Sequence, residues 1–158
     1  MSRVGAKTRA RAGAAVVAIV ALDQASKSLA VRNLADGPAY LIGHTVSFEL
    51  ARNSGSAFSR FQGFTPVLAV LACIVTVILI RTLQRASNVW LALGLVLVLG
   101  GALGNLADRI FRAPGFMRGA VVDFVKVGWF PVFNVADSAI TLGAAVLIWR
   151  SLVNRDAA

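Results

Sequence analysis

The sequence predicts an all-α membrane protein with four transmembrane helices and a small β-sheet outside the membrane. Apolar residues make up 58% of the 158-residue chain and charged residues only 15%, a balance that is unusual for a water-soluble domain. Two further segments alternate polar and apolar residues, as half-buried strands do. Four apolar segments, each near the length that crosses about 30 Å of hydrocarbon, lie at 12–31, 66–80, 89–107 and 135–152. Because each helix is needed to bury the others, we predict one domain over residues 1–158.

The first span follows a basic segment that contains Arg3, Lys7, Arg9 and Arg11. A positive segment before an apolar run is also typical of a cleaved signal peptide. The run ends at Asp23, and no small-x-small cleavage site follows it. We therefore expect a helix that is retained in the protein.

The net charge of +9 is spread around the four spans without aromatic interleaving, so it favours contact with a membrane surface over binding of nucleic acid. Basic residues are densest before the first span and in the tight loop at 81–88. Such density marks the cytoplasmic side. We predict cytoplasmic termini, with the loops at about 32–65 and 108–134 on the outer side.

Local signals place the middle helices and the strands. Thr65-Pro66 is typical of a cap followed by a helix start, and Gly100-x-x-x-Gly104 is a small-residue face that allows another helix to approach. Segments 44–50 and 119–127 alternate and predict two strands. Strands at the membrane surface would offer an edge to which a substrate backbone can add.

Several polar side chains fall within spans, where they are costly and often functional. Asp23 and Lys27 lie four residues apart, which favours an ion pair on one helix face. Gly101, Asn105 and Arg109 follow one another at steps of four on the third span. We expect Asn105 to find a hydrogen-bond partner inside the bundle.

A pair of carboxylates is the main catalytic candidate. If Asn134 caps the fourth span, Asp137 falls in its first turn, where unsatisfied N–H groups favour an acid. Asp123 lies fourteen residues earlier in a predicted strand, and a turn through Pro131 can bring the two acids together. Such a pair shares one proton and can hydrolyse a peptide by general acid–base catalysis.

Cysteine, histidine and metal chemistry contribute little to the prediction. The chain has one cysteine and one histidine, which excludes a disulfide framework and a Cys/His zinc site. The acid pair needs neither a metal nor a cofactor, and we expect none.

Five segments in this order resemble lipoprotein signal peptidases, the bacterial signal peptidase II family of intramembrane aspartic peptidases. The segments are LDQASK at 22–27, RNSGSAFS at 52–59, GGALGNLADR at 100–109, VVDF at 121–124 and FNVADS at 133–138. The resemblance implies four transmembrane helices, a small extracytoplasmic sheet and a short amphipathic outer helix.

The resemblance also implies the site. The catalytic aspartates of the family fall on Asp123 and Asp137. Supporting polar positions fall on Asp23, Asn53, Asn105, Arg109 and Asn134, to which we add Lys27 and Gly55 from the residue-level argument.

The implied activity is cleavage of a prolipoprotein signal peptide just before a cysteine that carries a diacylglyceryl group. The implied location is the bacterial inner membrane, with the site near its outer face. We expect a monomer that contacts membrane lipids. The alternative hypothesis is a small proton-coupled transporter or channel that uses the same aspartates as a relay.

Overall fold

The computed structural model describes residues 6–43, 45–55 and 65–153. This part of the chain forms four helices and three strands. The helices are α1 (Ala6–Asn33), α2 (Thr65–Gln84), α3 (Val89–Phe111) and α4 (Val135–Val153), and the strands are β1 (Ala39–Ile42), β2 (Val46–Asn53) and β3 (Val121–Val127). All four helices are long and apolar enough to cross a membrane, so the predicted multi-pass membrane protein is confirmed.

The helices extend past the predicted spans at most of their ends. For example, α3 continues from the predicted end at 107 to Phe111, and α1 begins before residue 12. Hydropathy stops at the first charged residues, whereas the backbone hydrogen bonds of a helix continue through them. Asp108 and Arg109 thus belong to α3 itself.

The sheet is antiparallel with the order β1-β2-β3. The two predicted strands are confirmed as β2 and β3, while His44 lies outside the described residues. Strand β1 was not predicted, because its four exposed residues are held by pairing with β2 rather than by a local pattern. The short amphipathic outer helix is not among the elements of the described ranges and stays a prediction.

Helix α3 is the centre of the bundle and packs against α1, α2 and α4. A methyl group built on Gly100 would lie 2.8 Å from Cβ of Ile19, and one on Gly104 would lie 2.6 Å from Oδ2 of Asp23. The predicted small-residue face therefore brings α1 close to α3, and it leaves room for a carboxylate between them.

The sheet is attached at the end of the bundle where α1 and α3 finish. A cluster of Ala30, Leu34 and Phe124 joins the end of α1 to β3. After β3 the chain folds back, and Val125 and Phe133 exchange backbone hydrogen bonds of 2.8 and 3.0 Å. This return places β3 beside the first turn of α4, as the sequence predicted.

Candidate active site

Asn134 caps α4 and fixes the position of Asp137. Its Oδ1 accepts a hydrogen bond of 2.9 Å from the backbone N–H of Asp137, and its own N–H donates to Oδ2 of Asp137 at 3.2 Å. This reciprocal pair is a capping box with an aspartate at the third helical position. The predicted cap is confirmed, and Asn134 is completely buried.

The same asparagine also binds the second candidate acid. Asp123 lies in β3 opposite Ala51 of β2, and only 3% of its surface is exposed. Nδ2 of Asn134 donates to Oδ1 of Asp123 at 2.6 Å. One side chain therefore links both acids, and the predicted convergence of β3 with α4 is present.

The surroundings of Asp123 favour its protonated form. Burial raises the pKa of the Asp123 carboxyl above its ordinary value, and the charge of Asp137 raises it further. Hydrogen bonds from Asn134 and Asn53, together with the charge of Lys27, oppose this rise without cancelling it. Asp123 is thus suited to hold a proton at a pH where an exposed aspartate has lost it.

Asn105 connects the acid pair to α1. Its Nδ2 donates to Oδ1 of Asp137 at 2.9 Å, and its Oδ1 accepts from Nζ of Lys27 at 2.9 Å and from Nδ2 of Asn134 at 3.3 Å. The expected partner inside the bundle is therefore Asp137. Both oxygens of Asp137 accept N–H groups, which suits a carboxylate at a helix N-terminus.

Behind Asn105 lies a buried ionic cluster of Asp23, Lys27 and Asp108, whose side chains are 0% exposed. Nζ of Lys27 lies 2.8 Å from Oδ2 of Asp23 and 2.9 Å from Oδ2 of Asp108. The predicted Asp23–Lys27 pair is present. Oδ1 of Asp23 also accepts the backbone N–H of Ala136 at 2.9 Å, which ties α1 to the start of α4.

Asp108 is the member of this cluster that was not predicted as a site residue. It accepts hydrogen bonds from Gln24, from Arg112 and from the backbone N–H of Val122 in β3. A signal was present in the sequence, because Gly100, Gly104 and Asp108 follow at steps of four. Extending the small-residue face by one turn would have placed Asp108 against Lys27.

Asn53, Gly55 and Arg109 lie on another side of the pair. The backbone N–H of Gly55 donates to Oδ1 of Asn53 at 2.8 Å, and Gly55 has a φ of +86°, which disfavours a side chain. A methyl group on Gly55 would lie 3.9 Å from Nη2 of Arg109. Nε of Arg109 is buried and has no hydrogen-bond partner within the described part of the chain.

The structure thus brings together all nine site residues that the sequence predicted, in two groups around the acids. Asp23, Lys27, Asn105 and Asn134 hold the pair from the bundle side. Asn53 and Arg109 interact with Asp123, and Gly55 adjoins both of them. Residues 56–59 of the second motif lie outside the described residues. Among the residues that are described, no group of three or more His, Cys, Asp or Glu side chains could hold a metal ion.

Comparison with known proteins identifies relatives over most of the chain. Residues 15–153 match the family described as signal peptidase (SPase) II. A lipoprotein signal peptidase of Rhodococcus jostii (strain RHA1) is 53% identical over 136 residues, which are 85% of this chain and 69% of the relative. A lipoprotein signal peptidase of Mycobacterium avium (strain 104) is 50% identical over 139 residues, 87% of this chain and 76% of the relative.

Two solved structures, both described as bacterial membrane enzymes studied by the in meso method, share the fold. One, at 2.3 Å resolution, has a TM-score of 0.81 and 26% identity over 97% of this chain and 92% of its own. The other, at 1.9 Å resolution, has a TM-score of 0.80 and 26% identity over 95% of this chain and 96% of its own.

Proposed function

The chain belongs to the signal peptidase II family, and on that premise we propose that it is an aspartic endopeptidase acting within the membrane. Its substrate is a prolipoprotein that carries a diacylglyceryl group on cysteine, and cleavage falls just before that cysteine. The observation that carries the aspartic mechanism is the linkage of Asp123 and Asp137 through Asn134, with one acid held toward the protonated form.

The two acids divide the work. Asp137 takes a proton from water as the water oxygen attacks the peptide carbonyl carbon, and Asp123 donates its proton to the carbonyl oxygen. As the tetrahedral intermediate collapses and the C–N bond breaks, Asp137 passes its proton to the leaving nitrogen, and the new hydroxyl returns a proton to Asp123. One water is consumed, and both acids return to their starting states.

The residues beside the acids have the chemistry to hold substrate. Gly55 permits a close approach of a peptide backbone, and the guanidinium of Arg109 adjoins Gly55, so a substrate carbonyl at this position could accept a hydrogen bond from Arg109. Asn53, in the same turn as Gly55, offers a further polar contact. The acyl chains on the substrate cysteine would lie against the apolar outer faces of the helices, such as Val70 and Ile74 of α2, which are about half exposed.

We place the sheet and the acid pair at the outer face of the bacterial inner membrane, with both termini in the cytoplasm. The positive residues at the other end of the bundle support this orientation. We propose a monomer surrounded by membrane lipids and a reaction that requires no metal or cofactor.

The test is cleavage by purified protein in detergent of a prolipoprotein substrate with and without its diacylglyceryl group. Asp123→Asn and Asp137→Asn are each expected to lose at least about 100-fold in turnover, the usual contribution of a general acid or base. Asp36→Asn is the matched control, because Asp36 is an exposed acid in the turn after α1. We expect the Asp36→Asn variant to cleave the lipidated substrate and not the unlipidated one. Wild type in the presence of a chelator should do the same.

Cleavage that survives either site substitution would contradict the two-acid mechanism, and loss of cleavage in chelator would contradict metal independence. The transporter hypothesis gains no support from the described residues. Their acids all lie at the sheet end of the bundle or in the outer loops, so within the described ranges no carboxylate marks the other half of a proton path.

A further inference from the structure

The orientation of the side-chain amide of Asn105 decides whether Asp137 faces a hydrogen-bond donor or an acceptor. An asparagine has an acceptor at one end and donors at the other, so it can present either to a neighbour. With Nδ2 toward Asp137 it donates to a carboxylate, at 2.9 Å in this structure. Turned over, it would place its carbonyl oxygen against that carboxylate, and the two acceptors would repel each other.

Lys27 removes this ambiguity. An ammonium group donates three hydrogen bonds and accepts none. Among the described residues, the polar partners of Nζ are Oδ2 of Asp23, Oδ2 of Asp108 and Oδ1 of Asn105, all within 2.9 Å. Because the third partner must be an acceptor, Asn105 has to present its oxygen to Lys27 and its Nδ2 to Asp137.

The constraint passes on to Asn134. Once Oδ1 of Asn105 faces inward, it also accepts from Nδ2 of Asn134 at 3.3 Å. Asn134 then offers this same amide nitrogen to Asp123 and its Oδ1 to the N–H of Asp137. A single cation behind the site thus sets the donor and acceptor pattern around both acids.

We propose that Lys27 is a positioning residue for the acid pair, which fixes the amide of Asn105 and through it the hydrogen bonds that make Asp137 the base. The inference deepens the proposed function and rests on it. Lys27 does not touch the reacting atoms and acts only through Asn105 and Asn134.

The composition of the buried cluster supports this role over that of a simple ion pair. A buried cation is expensive and needs compensation, and Lys27 receives it from one carboxylate on α1 and another on α3. An ion pair that only joined these two helices would need no bond to an amide that also contacts Asp137. Gly104 leaves the space that Asp23 occupies, so the backbone of α3 accommodates the same arrangement.

The test compares Lys27→Gln with Arg112→Gln. Both changes remove one cation from Asp108, but Arg112 has no hydrogen bond to Asn105, so it is the matched control. Glutamine can donate or accept, and Lys27→Gln therefore frees the amide of Asn105 to turn over. We expect kcat to fall about 10- to 100-fold, the size of effect that follows a small misplacement in an active site, while KM changes by less than about twofold.

The pH–rate profile separates positioning from stability. The charged groups that act on Asp123 are Lys27 on α1, Arg109 on α3 and Asp137 on α4. Asp23 and Asp108 lie behind them, on Lys27. The charge of Lys27 lowers the pKa of Asp123, so without Lys27 the basic limb of the profile, where Asp123 loses its proton, should move to higher pH. Arg112→Gln should lower thermal stability and leave that limb where it is.

A second variant covers the risk that Lys27→Gln does not fold. Asp23→Asn combined with Lys27→Gln removes one anion and one cation together, and Asp108 keeps its ion pair with Arg112. We expect the same fall in kcat and the same displacement of the limb. A wild-type profile in folded Lys27→Gln or in the double variant, or a kcat loss no larger than that of Arg112→Gln, would overturn the inference. Failure of the proposed function would instead appear as no cleavage by wild type, or as cleavage that survives Asp137→Asn.

Discussion

The two ends of the helix bundle use charged residues in opposite ways. At the sheet end, Asp23, Lys27 and Asp108 are fully buried and satisfy one another. At the other end, the described ranges contain basic residues and no acid. These basic residues include Arg9, Arg11, Arg81, Arg85 and Arg150.

The contrast in burial reflects a contrast in packing. A cavity of about 810 Å³ opens between α1, α2 and α3 at the arginine end, lined in part by Val16, Leu83 and Leu99. The sheet end instead has carboxylates, amides and backbone joined by short hydrogen bonds. Buried charges require one defined geometry, since each unsatisfied group is costly, whereas exposed arginines can meet water or lipid headgroups in many arrangements.

The largest expected effect on stability is that of Asp108→Ala. This change removes the acceptor shared by Lys27, Gln24, Arg112 and the N–H of Val122. Breaking a buried ion pair from one side costs about 3–5 kcal/mol, to be measured as the free energy of unfolding in detergent micelles. Arg81→Ala at the opposite end should be close to wild type, and equal losses would remove the contrast between the two ends.

A smaller effect is expected where α1 crosses α3. In Gly104→Ala the new methyl group would lie 2.6 Å from Oδ2 of Asp23, and overpacking of this kind costs about 1–3 kcal/mol. Gly13→Ala is the control, because a methyl group there meets nothing within 4 Å and alanine favours a helix by about 1 kcal/mol. A lower free energy of unfolding in Gly104→Ala and a higher one in Gly13→Ala would support the contrast in packing. An unchanged value in Gly104→Ala would contradict close packing at the site.

Asp123→Asn should show that the acid pair is held at a cost in stability. Since the folded state raises the pKa of Asp123, it binds a proton more tightly than the unfolded state does. The contribution of Asp123 to stability therefore falls as pH rises from the ordinary carboxyl range through the raised pKa. Asparagine removes this loss, so the variant should have a higher Tm than wild type at neutral pH and no such advantage in acid. An advantage that grows on acidification would contradict the direction of the shift.

The smallest effect is expected from the arginines of the other end. Arg81→Gln with Arg85→Gln should leave Tm and turnover nearly unchanged and reduce only the fraction of molecules inserted with the predicted orientation.

In a Cys73→Ala background, cysteines at Ser87 and at Trp129 report the two ends to a membrane-impermeant thiol reagent. In intact cells we expect labelling at 129 and not at 87, and the reverse pattern would invert the proposed orientation.

The agreement between sequence and structure is best where the determining interactions are short in sequence. The cap by Asn134 and the position of Asp137 depend on residues three apart, and the Asp23–Lys27 pair on residues four apart. The fold-back that brings Asp123 to Asp137 was predicted from a strand, a turn and a helix start in succession. Strand β1 was not predicted, because its position depends on pairing with β2 and its own four residues carry no strand pattern.

The four spans, two of the three strands and the convergence of Asp123 with Asp137 could be predicted from the sequence, because hydrophobic length, alternation and capping are local properties of the chain. Packing between the helices brings Lys27 to Asp108 on α3 as well as to Asp23 on its own helix, and it turns Asn105 toward Asp137. The Asn105–Asp137 and Lys27–Asp108 contacts join residues 32 and 81 positions apart in the sequence. Their geometry depends on how closely α3 approaches α1 and α4, and the packing of the whole bundle sets that approach.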